Sequence, residues 1–478
     1  METRQTNVAI IGAGTAGLNA RREAEKAGAD WLLVESGPYG TTCARVGCMP
    51  SKLLIAAAER AHAVRGADEF GIRVRDDGWE IDDRAVMQRV RDERDRFVDF
   101  VVDSTTSLPE QRRIRGRAEF VDTTTLVVDD DLTIDAESVV IATGSSPWIP
   151  PQLEPIREHV LVNDDVFELE TLPDSIAIAG TGVIALELGQ ALKRLGVEAH
   201  LFNPVDSLGV FTDPAVDARA RQIFGDELDL HLEASIVEAE PTERGYELTW
   251  TEDGDRRTAV FEEVLSAAGR RPNLDGLNLE ATDLPLDDDG VPEYDRQTMQ
   301  VGDSPVFIAG DAADHRNVLH EASDEGRIAG SNAANYPCVT AGSRRPPLAI
   351  VFTHPQMALV GQTWDRLDSD AVAVGDVDYE NQGRSRVMDI DEGLVRLYGW
   401  KDGCSFAGAE MLAPRAEHTA HLLAWALGQH LGVQQMLEMP FYHPVVEEGL
   451  RTGLRDLAEE LKIVGRCPPE DCSDSPGT

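Results

Sequence analysis

The 478-residue sequence predicts an α/β fold in which one strand–turn–helix unit occurs twice. The first unit begins at Asn7 and the second at Ser175, and in each an apolar strand runs into a glycine-rich turn. A strand, a tight turn, a helix and a second strand in this order form one half of a doubly wound parallel sheet. The length corresponds to about three domains of ordinary size, so a third unit is expected beyond the two repeats.

The first unit has the features of a dinucleotide-binding turn. The apolar segment 7–11 is followed by a helical stretch to about Lys26, and a second strand, 31–34, ends at Glu35. The three glycines of the turn are Gly12, Gly14 and Gly17. Glycine permits the tight turn, the close approach of a pyrophosphate and close helix–strand packing, while the acid accepts from ribose hydroxyls. With every part in order, a dinucleotide site is favoured over a tight turn in some other α/β domain.

The second unit repeats this motif with two changes. Gly180 and Gly182 are followed by Ala185 in the third position, which the motif permits. Its second strand ends at Asn203 instead of an acid, and an amide can still bond a ribose hydroxyl. The next four residues contain no Arg or Lys to hold a 2′-phosphate, and Asp206 would repel one. These two Rossmann-like units therefore differ, and the second is expected to prefer NAD over NADP.

Cys43 and Cys48 lie just after the first unit and are five positions apart. On a regular helix this spacing corresponds to a rise of about 7.5 Å. A disulfide tolerates roughly 4.4–6.8 Å between Cα atoms, so a bond between these residues requires a distorted turn. Pro50 removes a donor and crowds the carbonyl of Val46, and Gly47 accepts unusual backbone angles. A strained disulfide is easily reduced, which favours a redox role over two ordinary buried cysteines.

Two dinucleotide units and a dithiol together imply electron transfer between two nucleotides by way of sulfur. Here the chain resembles the class I pyridine nucleotide-disulfide oxidoreductases, and among them dihydrolipoyl dehydrogenases most closely, up to about Gly465. The motifs that carry the resemblance are the dithiol run 39–52, the domain-crossing segments 141–144 and 268–273, the second FAD motif 306–311 with the segment 319–326, the start of a dimerisation domain at 351–361, and an acid–base motif at 443–448.

The resemblance implies two Rossmann-like domains, for FAD and for NAD, and a C-terminal α+β dimerisation domain. The expected boundaries are 1–148 and 271–343 for a split FAD domain, 149–270 for an inserted NAD domain, 344–465 for dimerisation and 466–478 for a flexible tail. A homodimer follows from the same resemblance.

The resemblance also implies four catalytic residues. Cys43 is the interchange thiol and Cys48 the sulfur that faces the flavin. Exchange requires a thiolate, and His443 suits the role of base because a histidine titrates near neutral pH. Glu448 would orient the imidazole and stabilise its cation. In the family this pair comes from the partner subunit. Alone, a His-Pro pair is equally compatible with a helix-start turn, and Pro444 is expected to open an amphipathic helix.

The remaining site residues are expected to bind FAD or NAD. The resemblance matches Lys52 and Glu187 to an ion pair near the reactive flavin nitrogen, although a solvated acid is an alternative for Glu187. Lysine occurs at five positions in the chain, so one beside the dithiol points to a role. The full set is Gly12, Gly14, Gly17, Glu35, Lys52, Thr143, Gly144, Gly180, Gly182, Glu187, Asn203, Gly269, Gly310 and Asp311, with no metal ligand.

Departures from the family pattern leave the substrate open. Arg45, between the cysteines, could attract an acidic substrate, and Thr41 replaces a glycine. Dihydrolipoyl groups, on the acyltransferase of a 2-oxoacid dehydrogenase complex, are the leading expectation. A mercuric-ion or other disulfide reductase is the alternative, because Cys467 and Cys472 could form a terminal dithiol. The presence of His443 argues against mercury chemistry. A silent redox-sensing subunit is a third interpretation.

The composition excludes several classes of function. The formal net charge of −42, from 86 acidic and 44 basic residues, argues against nucleic-acid binding. No apolar run approaches a membrane span and no secretory leader is visible, so a cytoplasmic enzyme is expected, where an accessible disulfide is catalytic. With so few lysines, the acidic surface predicts a protein adapted to a high-salt cytoplasm.

Overall fold

The structure is a computed structural model that describes residues 2–74 and 78–463. The predicted flexible tail, with Cys467 and Cys472, lies outside these residues.

The described residues form α-helices and β-strands that alternate in the first half of the chain. The helices are α1 Thr15–Lys26, α2 Thr42–Arg45, α3 Cys48–Arg65, α4 Asp83–Thr106, α5 Asn163–Val166, α6 Val183–Arg194, α7 Pro214–Glu227, α8 Leu319–Asn335, α9 Gly383–Met388, α10 Ala416–Gly428, α11 Val433–Leu437 and α12 Glu448–Glu460. The strands are β1 Glu2–Ile11, β2 Trp31–Glu35, β3 Arg113–Arg115, β4 Ala118–Phe120, β5 Thr125–Val128, β6 Leu132–Ile141, β7 Ser145–Pro147, β8 Ser175–Ala179, β9 Glu198–Phe202, β10 Asp229–His231, β11 Ser235–Thr242, β12 Gly245–Glu252, β13 Asp255–Phe261, β14 Glu263–Ser266, β15 Arg270–Pro272, β16 Val306–Ile308, β17 Leu348–Val351, β18 Gln356–Gly361, β19 Val372–Asp378, β20 Leu394–Trp400 and β21 Phe406–Ala413.

The first sheet places the N-terminal glycine turn at the centre of a parallel array. Its order is β3-β2-β1-β6-β5-β4, and β16 pairs with β6. Strand β1 is parallel to β2 and β6, with Ile11 beside Val34 and Ile141. The last residues of β1 are buried on both faces, as expected for a strand covered by helices. The carboxyl ends of β1, β2, β6 and β16 therefore share one edge of the sheet.

The second sheet carries the repeated unit. It has the order β10-β9-β8-β14, and all of its neighbouring pairs are parallel. An antiparallel sheet, β11-β12-β13, packs beside it. Strand β7, which directly follows the predicted domain-crossing segment 141–144, pairs with β15, which lies within the second such segment, 268–273. The chain thus enters and leaves the second unit at one place.

The C-terminal sheet is antiparallel, with the order β17-β18-β21-β20-β19. Helices α10 and α12 cover it, and the apolar face of α12 is buried at Leu450, Leu454 and Leu457. The expectation that this helix opens at Pro444 is wrong, because α12 begins at Glu448. Residues 443–447 instead form a non-helical segment that leads into α12. The Val445 amide donates to the Glu448 carboxylate within this segment. The predicted α/β fold class is confirmed, while the domain boundaries stay predictions.

Candidate active site and nucleotide sites

The glycine turn after β1 is shaped by contacts that leave no room for side chains. Gly12 has φ +108°, and a Cβ there would lie 2.2 Å from the carbonyl oxygen of Ala142. A Cβ on Gly17 would lie 1.9 Å from the carbonyl oxygen of Gly12. At Gly14, by contrast, a Cβ would meet no protein atom within 4 Å. Gly12 and Gly17 therefore serve strand and helix packing, while Gly14 keeps the surface of the turn clear.

The carboxylate of Glu35 holds this turn from the end of β2. One oxygen accepts from the amide of Ala13 at 2.7 Å, and the other accepts from the amide of Gly37 at 2.7 Å. Each oxygen keeps a further lone pair, so the carboxylate can still accept from a ribose hydroxyl.

A cavity of about 510 Å³ opens beside the turn and extends to the dithiol. Its lining includes these predicted site residues: Gly14, Cys43, Cys48, Lys52, Gly144, Glu187, Gly310 and Asp311. Thr143 Oγ1 and His320 Nε2 are buried without a hydrogen-bond partner among the described residues, and His320 lines the same cavity. A cavity that joins a glycine turn, a dithiol and unpaired polar atoms fits a large polar cofactor such as FAD.

Lys52 and Glu187 form an ion pair across 135 residues of sequence, with Nζ and Oε2 2.7 Å apart. Glu187 is buried, so it is not the solvated helix acid that the sequence left open. Its other oxygen accepts from the Phe352 amide at 2.9 Å, and the Lys52 ammonium lies 4.5 Å from the centre of the Phe352 ring. Phe352, which the sequence analysis did not single out, thus contacts both partners of the pair.

The dithiol lies where the helical path is interrupted. Helix α2 ends at Arg45 and α3 starts at Cys48, with Gly47 at φ −125° and ψ −113° between them. The expected distortion is therefore present, and both cysteines line the first cavity. Both cysteines are free thiols in the structure.

The two thiols differ in their acidity. The hydrogen bond from Cys43, with a further contribution from the nearby Lys52 charge, lowers the pKa of Cys48 to about 7. The same hydrogen bond, followed by burial, raises the pKa of Cys43 well above its usual range. The pair therefore holds its proton on Cys43 and its negative charge on Cys48.

A second cavity, of about 530 Å³, lies over the repeated unit. The predicted residues Gly180, Gly182, Asn203 and Gly269 all line it. A Cβ on Gly180 would lie 2.4 Å from the carbonyl oxygen of Ala267, whereas one on Gly182 would meet no protein atom within 4 Å. The second glycine turn therefore has the same arrangement as the first, and its cavity suits a second dinucleotide.

The side chain of Asn203 is partly committed to its own loop. Its Nδ2 donates to Thr181 Oγ1 at 2.6 Å and to the Ser207 carbonyl at 2.9 Å. Its Oδ1 accepts from the Val205 amide at 3.4 Å and keeps a second lone pair that can accept from a ribose hydroxyl. Asp206 is not the isolated repelling charge that the sequence suggested, because Arg221 of α7 forms an ion pair with it. The sequence does not show this ion pair, because Arg221 lies 15 residues further along the chain than Asp206.

His443 and Glu448 contact each other, with Nδ1 3.1 Å and 3.2 Å from the two carboxylate oxygens. The Glu448 side chain is 5% exposed and that of His443 is 69% exposed. The lining of the dithiol cavity does not include His443 among the described residues. The pair is therefore assembled within one chain, and the imidazole faces outward from the unit that contains the C-terminal sheet.

Comparison with known proteins defines the class. The chain matches the family "Pyridine nucleotide-disulphide oxidoreductase" over residues 6–326 and the dimerisation domain of that family over residues 348–453. The chain belongs to this family, whose members are FAD- and NAD-dependent oxidoreductases. The predicted enzyme class and both cofactors are thereby confirmed, and so is the C-terminal dimerisation domain.

Within the family, the chain is similar to proteins named dihydrolipoyl dehydrogenase. It is 30% identical to dihydrolipoyl dehydrogenase 2 of Haloarcula marismortui over 464 residues, which cover 94% of this chain and 96% of that protein. It is 31% identical to the dihydrolipoyl dehydrogenase of Halobacterium salinarum, covering 93% of this chain and 94% of that protein. These relatives support a flavoprotein disulfide oxidoreductase.

Solved structures show the same fold. LpdA from Mycobacterium tuberculosis has a TM-score of 0.80 at 24% identity, covering 95% of this chain and 99% of that chain. The HOCl-induced flavoprotein disulfide reductase RclA from Escherichia coli has a TM-score of 0.78 at 21% identity, covering 96% of this chain and 100% of that chain.

Two further observations concern the described residues alone. None of their helices is both long and apolar enough to cross a membrane. Across 2–74 and 78–463, no group of three or more His, Cys, Asp or Glu side chains could hold a metal ion.

Proposed function

We propose that this protein oxidises protein-bound dihydrolipoyl groups to lipoyl groups and reduces NAD⁺, as a dihydrolipoyl dehydrogenase. The observation that carries the proposal is the dithiol, because Cys43 and Cys48 line one cavity with the first glycine turn and Lys52, and the pKa of Cys48 is lowered to about 7 by Cys43 and by the Lys52 charge. A thiolate beside a protonated thiol is the state expected of a sulfur pair that trades electrons with an external dithiol. The 29–31% identity to proteins of that name supports the substrate class.

The proposed exchange begins with the Cys43–Cys48 disulfide. A substrate thiolate attacks the Cys43 sulfur, and Cys48 leaves as a thiolate. The second substrate thiolate attacks its own bound sulfur, which releases Cys43 and closes the lipoyl disulfide. Overall, the substrate dithiol loses two electrons and two protons, NAD⁺ gains a hydride, and one proton goes to solvent. His443 takes the proton of the first attacking thiol and releases it to solvent, then takes the proton of the second thiol and passes it to the released Cys43. Glu448 orients the imidazole and stabilises its cation.

The residues proposed to hold FAD are those around the first cavity. Glu35 would bind a ribose, Gly14 and Gly144 would allow close approach, Asp311 would hold the ribityl chain, and Lys52 would lie near the reactive ring nitrogen. When bound, FAD supplies a carrier for the electron pair between sulfur and nicotinamide. Lys52 is held for this position by Glu187, and it also favours the charge on Cys48.

NAD is proposed to bind over the second turn, with Gly182 facing the pyrophosphate and Asn203 accepting from a ribose hydroxyl. This cavity and the first one share Val183 and Ile184, at the start of α6, in their linings. The shared wall supports electron transfer between two adjacent nucleotides.

The active unit is proposed to be a homodimer in which His443 of one protomer serves the dithiol of the other. The exposure of the imidazole and the family's dimerisation domain support this arrangement. The partner in the cell would be the lipoyl-bearing acyltransferase of a 2-oxoacid dehydrogenase complex. A cytoplasmic location belongs to the same proposal, since a reducible dithiol is typical of catalytic cysteines there.

The test is a rate comparison on the purified holoenzyme with three substrate pairs. These are dihydrolipoamide with NAD⁺, oxidised glutathione with NADH, and mercuric ion with NADPH. We expect the first pair to be fastest by at least tenfold, and Cys48→Ala to abolish that turnover. Faster reduction of mercuric ion, lost on replacing Cys467 and Cys472 by serine, would contradict the proposal. Full turnover by Cys48→Ala would rule out the sulfur route.

A further inference from the structure

The carbonyl of Val46 lacks the donor that a continuous helix would give it. In an α-helix this oxygen accepts from the amide four residues later, but that residue is Pro50, which has no N–H. The neighbouring carbonyl of Gly47 does have its partner, the Ser51 amide at 3.2 Å. The buried Val46 carbonyl therefore needs a donor from another part of the chain, and helix α5 provides it.

Asn163, at the start of α5, supplies that donor. Its Nδ2 donates to the Val46 carbonyl at 2.8 Å and to Asp164 Oδ1 at 2.9 Å. Its Oδ1 accepts from Arg270 Nη1 at 3.2 Å. A guanidinium can act only as a donor, so the contact with Arg270 fixes which end of the amide faces Val46. Asn163 is buried, and both protons and the oxygen of its amide are used.

The network continues from Arg270 to the first cavity. Arg270 Nε donates to Ser145 Oγ at 2.8 Å, and Nη2 donates to the Ser145 carbonyl at 2.6 Å. Because the hydroxyl oxygen accepts from arginine, its own proton goes to Asp311 Oδ2 at 2.7 Å. One chain of bonds with fixed donors therefore joins Asp311, which lines the proposed flavin site, to the residue two positions before Cys48.

We propose that Asn163 is a positioning residue for the redox dithiol. It fixes the turn at Val46 and Gly47, and so sets where the Cys48 sulfur lies relative to Asp311 and Lys52. This proposal rests on the proposed function, because it assumes that the Cys48 sulfur works against a bound flavin. Asn163 acts through Val46 and has no role in proton transfer.

Backbone bonds within the dithiol turn join it to its own neighbours, as from the Val46 amide to the Thr42 carbonyl at 3.0 Å, whereas Asn163 joins it to a segment 117 positions away. Replacing Asn163 with leucine, of similar size, removes the donor to the Val46 carbonyl and the acceptor of Arg270 Nη1, while the bonds from Arg270 to Ser145 remain. The turn would then relax away from its present path. Displacements of about 1 Å at reacting atoms can cost roughly 100-fold in rate.

The experiment compares wild type, Asn163→Leu and Asn163→Asp as FAD-loaded enzymes. Aspartate keeps the size and the acceptor for Arg270 but cannot donate to Val46 when ionised. Two readouts do not depend on turnover: the long-wavelength absorbance of a Cys48 thiolate against oxidised flavin, and the iodoacetamide alkylation rate of Cys48 in the reduced enzyme. We expect both variants to lose most of that absorbance, to change the alkylation rate, and to lose roughly tenfold or more in dithiol-linked turnover.

Asn332→Leu is the matched control. Asn332 is buried and its Nδ2 also donates to two carbonyls, those of Thr298 and Thr340, at 2.9 Å. It does not line the dithiol cavity. Its replacement should lower the melting temperature while the absorbance and the alkylation rate of Cys48 stay at wild-type values.

Wild-type absorbance and alkylation in both Asn163 variants would overturn the proposal. A matching change in Asn332→Leu would also overturn it, because a general loss of packing would then explain the result. Should Asn163→Leu fail to fold, Asn163→Asp decides the question. If wild type does not oxidise dihydrolipoamide, the proposed substrate fails, while the absorbance and the alkylation still report on Asn163.

Discussion

The asymmetry of the two thiols comes from neighbours that differ for each sulfur. Cys43 donates a hydrogen bond to Cys48, which raises the pKa of the first thiol and lowers that of the second. Lys52 adds a positive charge close to Cys48, and the buried Glu187 keeps that lysine in place. The direction of this asymmetry agrees with the order of the two cysteines in the proposed exchange, in which Cys48 is the leaving thiolate.

The pH dependence of alkylation should report this hydrogen bond directly. In the reduced enzyme, Cys48 should react with iodoacetamide at a rate that rises with a midpoint near pH 7, because the thiolate is the reacting form. Cys43→Ala removes the donor and should move the midpoint towards the 9.0 usual for a thiol, whereas Cys43→Ser keeps a donor and should move it less. Peptide mapping by mass spectrometry would separate Cys48 from the other cysteines. Equal midpoints in the two variants would refute the assigned cause.

The acid–base pair can be tested at the same scale. His443→Gln should lower the rate of dihydrolipoamide oxidation at pH 7 by roughly 10²–10⁴, since the attacking thiols lose their base. Glu448→Gln should cost less, because the imidazole keeps its place in the chain and loses only the carboxylate that orients it. Reduction of ferricyanide by NADH should survive in both. His418→Gln, at an exposed histidine of the same unit, is the control. A comparable loss in that control would remove the case for His443.

Residues that act through distant partners were the hardest to find from the sequence. Lys52 and Glu187 were matched through the family resemblance, and their contact is as expected. The sequence does not indicate the roles of Asn163 and Arg221, because each acts on a separate segment: Asn163 bonds Val46 from 117 positions away, and Arg221 pairs with Asp206 from 15 positions away. The missing N–H of Pro50 could have indicated that Val46 needs a donor, but it could not have named the donor.

At the scale of elements, local patterns predicted the strands well and the helix ends less well. The strand–turn–helix units were recognisable because buried parallel strands are continuously apolar and their turns require glycine. The start of α12 was misplaced by four residues, at Pro444 instead of Glu448. A proline permits a helix start, but the bond from the Val445 amide to the Glu448 carboxylate favours a later one. Tertiary hydrogen bonds of this kind carry no local sequence signal.

The two kinds of glycine in the first turn should respond differently to alanine. Gly17→Ala would place a Cβ 1.9 Å from the Gly12 carbonyl oxygen, so α1 would have to move and the protein should lose both stability and FAD. Gly14→Ala meets no protein atom within 4 Å and has a permitted backbone, but its Cβ would enter the proposed cofactor space. We expect a folded apoprotein with weakened FAD binding. Melting temperatures and flavin content would check this, and FAD binding at wild-type strength by Gly14→Ala would contradict the assigned site.

At the scale of the whole molecule, the charge of −42 sets the conditions for stability. Acidic clusters such as 129–131 and 287–289 lie at exposed turns. Repulsion among such groups acts over about 10 Å at 0.1 M salt and about 3 Å at 1 M salt.

The melting temperature should therefore rise steadily as KCl increases from dilute buffer to molar concentrations, because screening removes self-repulsion from the folded state. Changing the exposed Asp130, Asp131, Asp288 and Asp289 to asparagine should raise the melting temperature in dilute buffer and flatten its dependence on salt. The same four changes should matter little at high salt, where these charges are already screened. Melting curves across a KCl series, at constant FAD, would measure both effects. A wild-type protein that is most stable in dilute buffer would show that the acidic surface serves some purpose other than stability in salt.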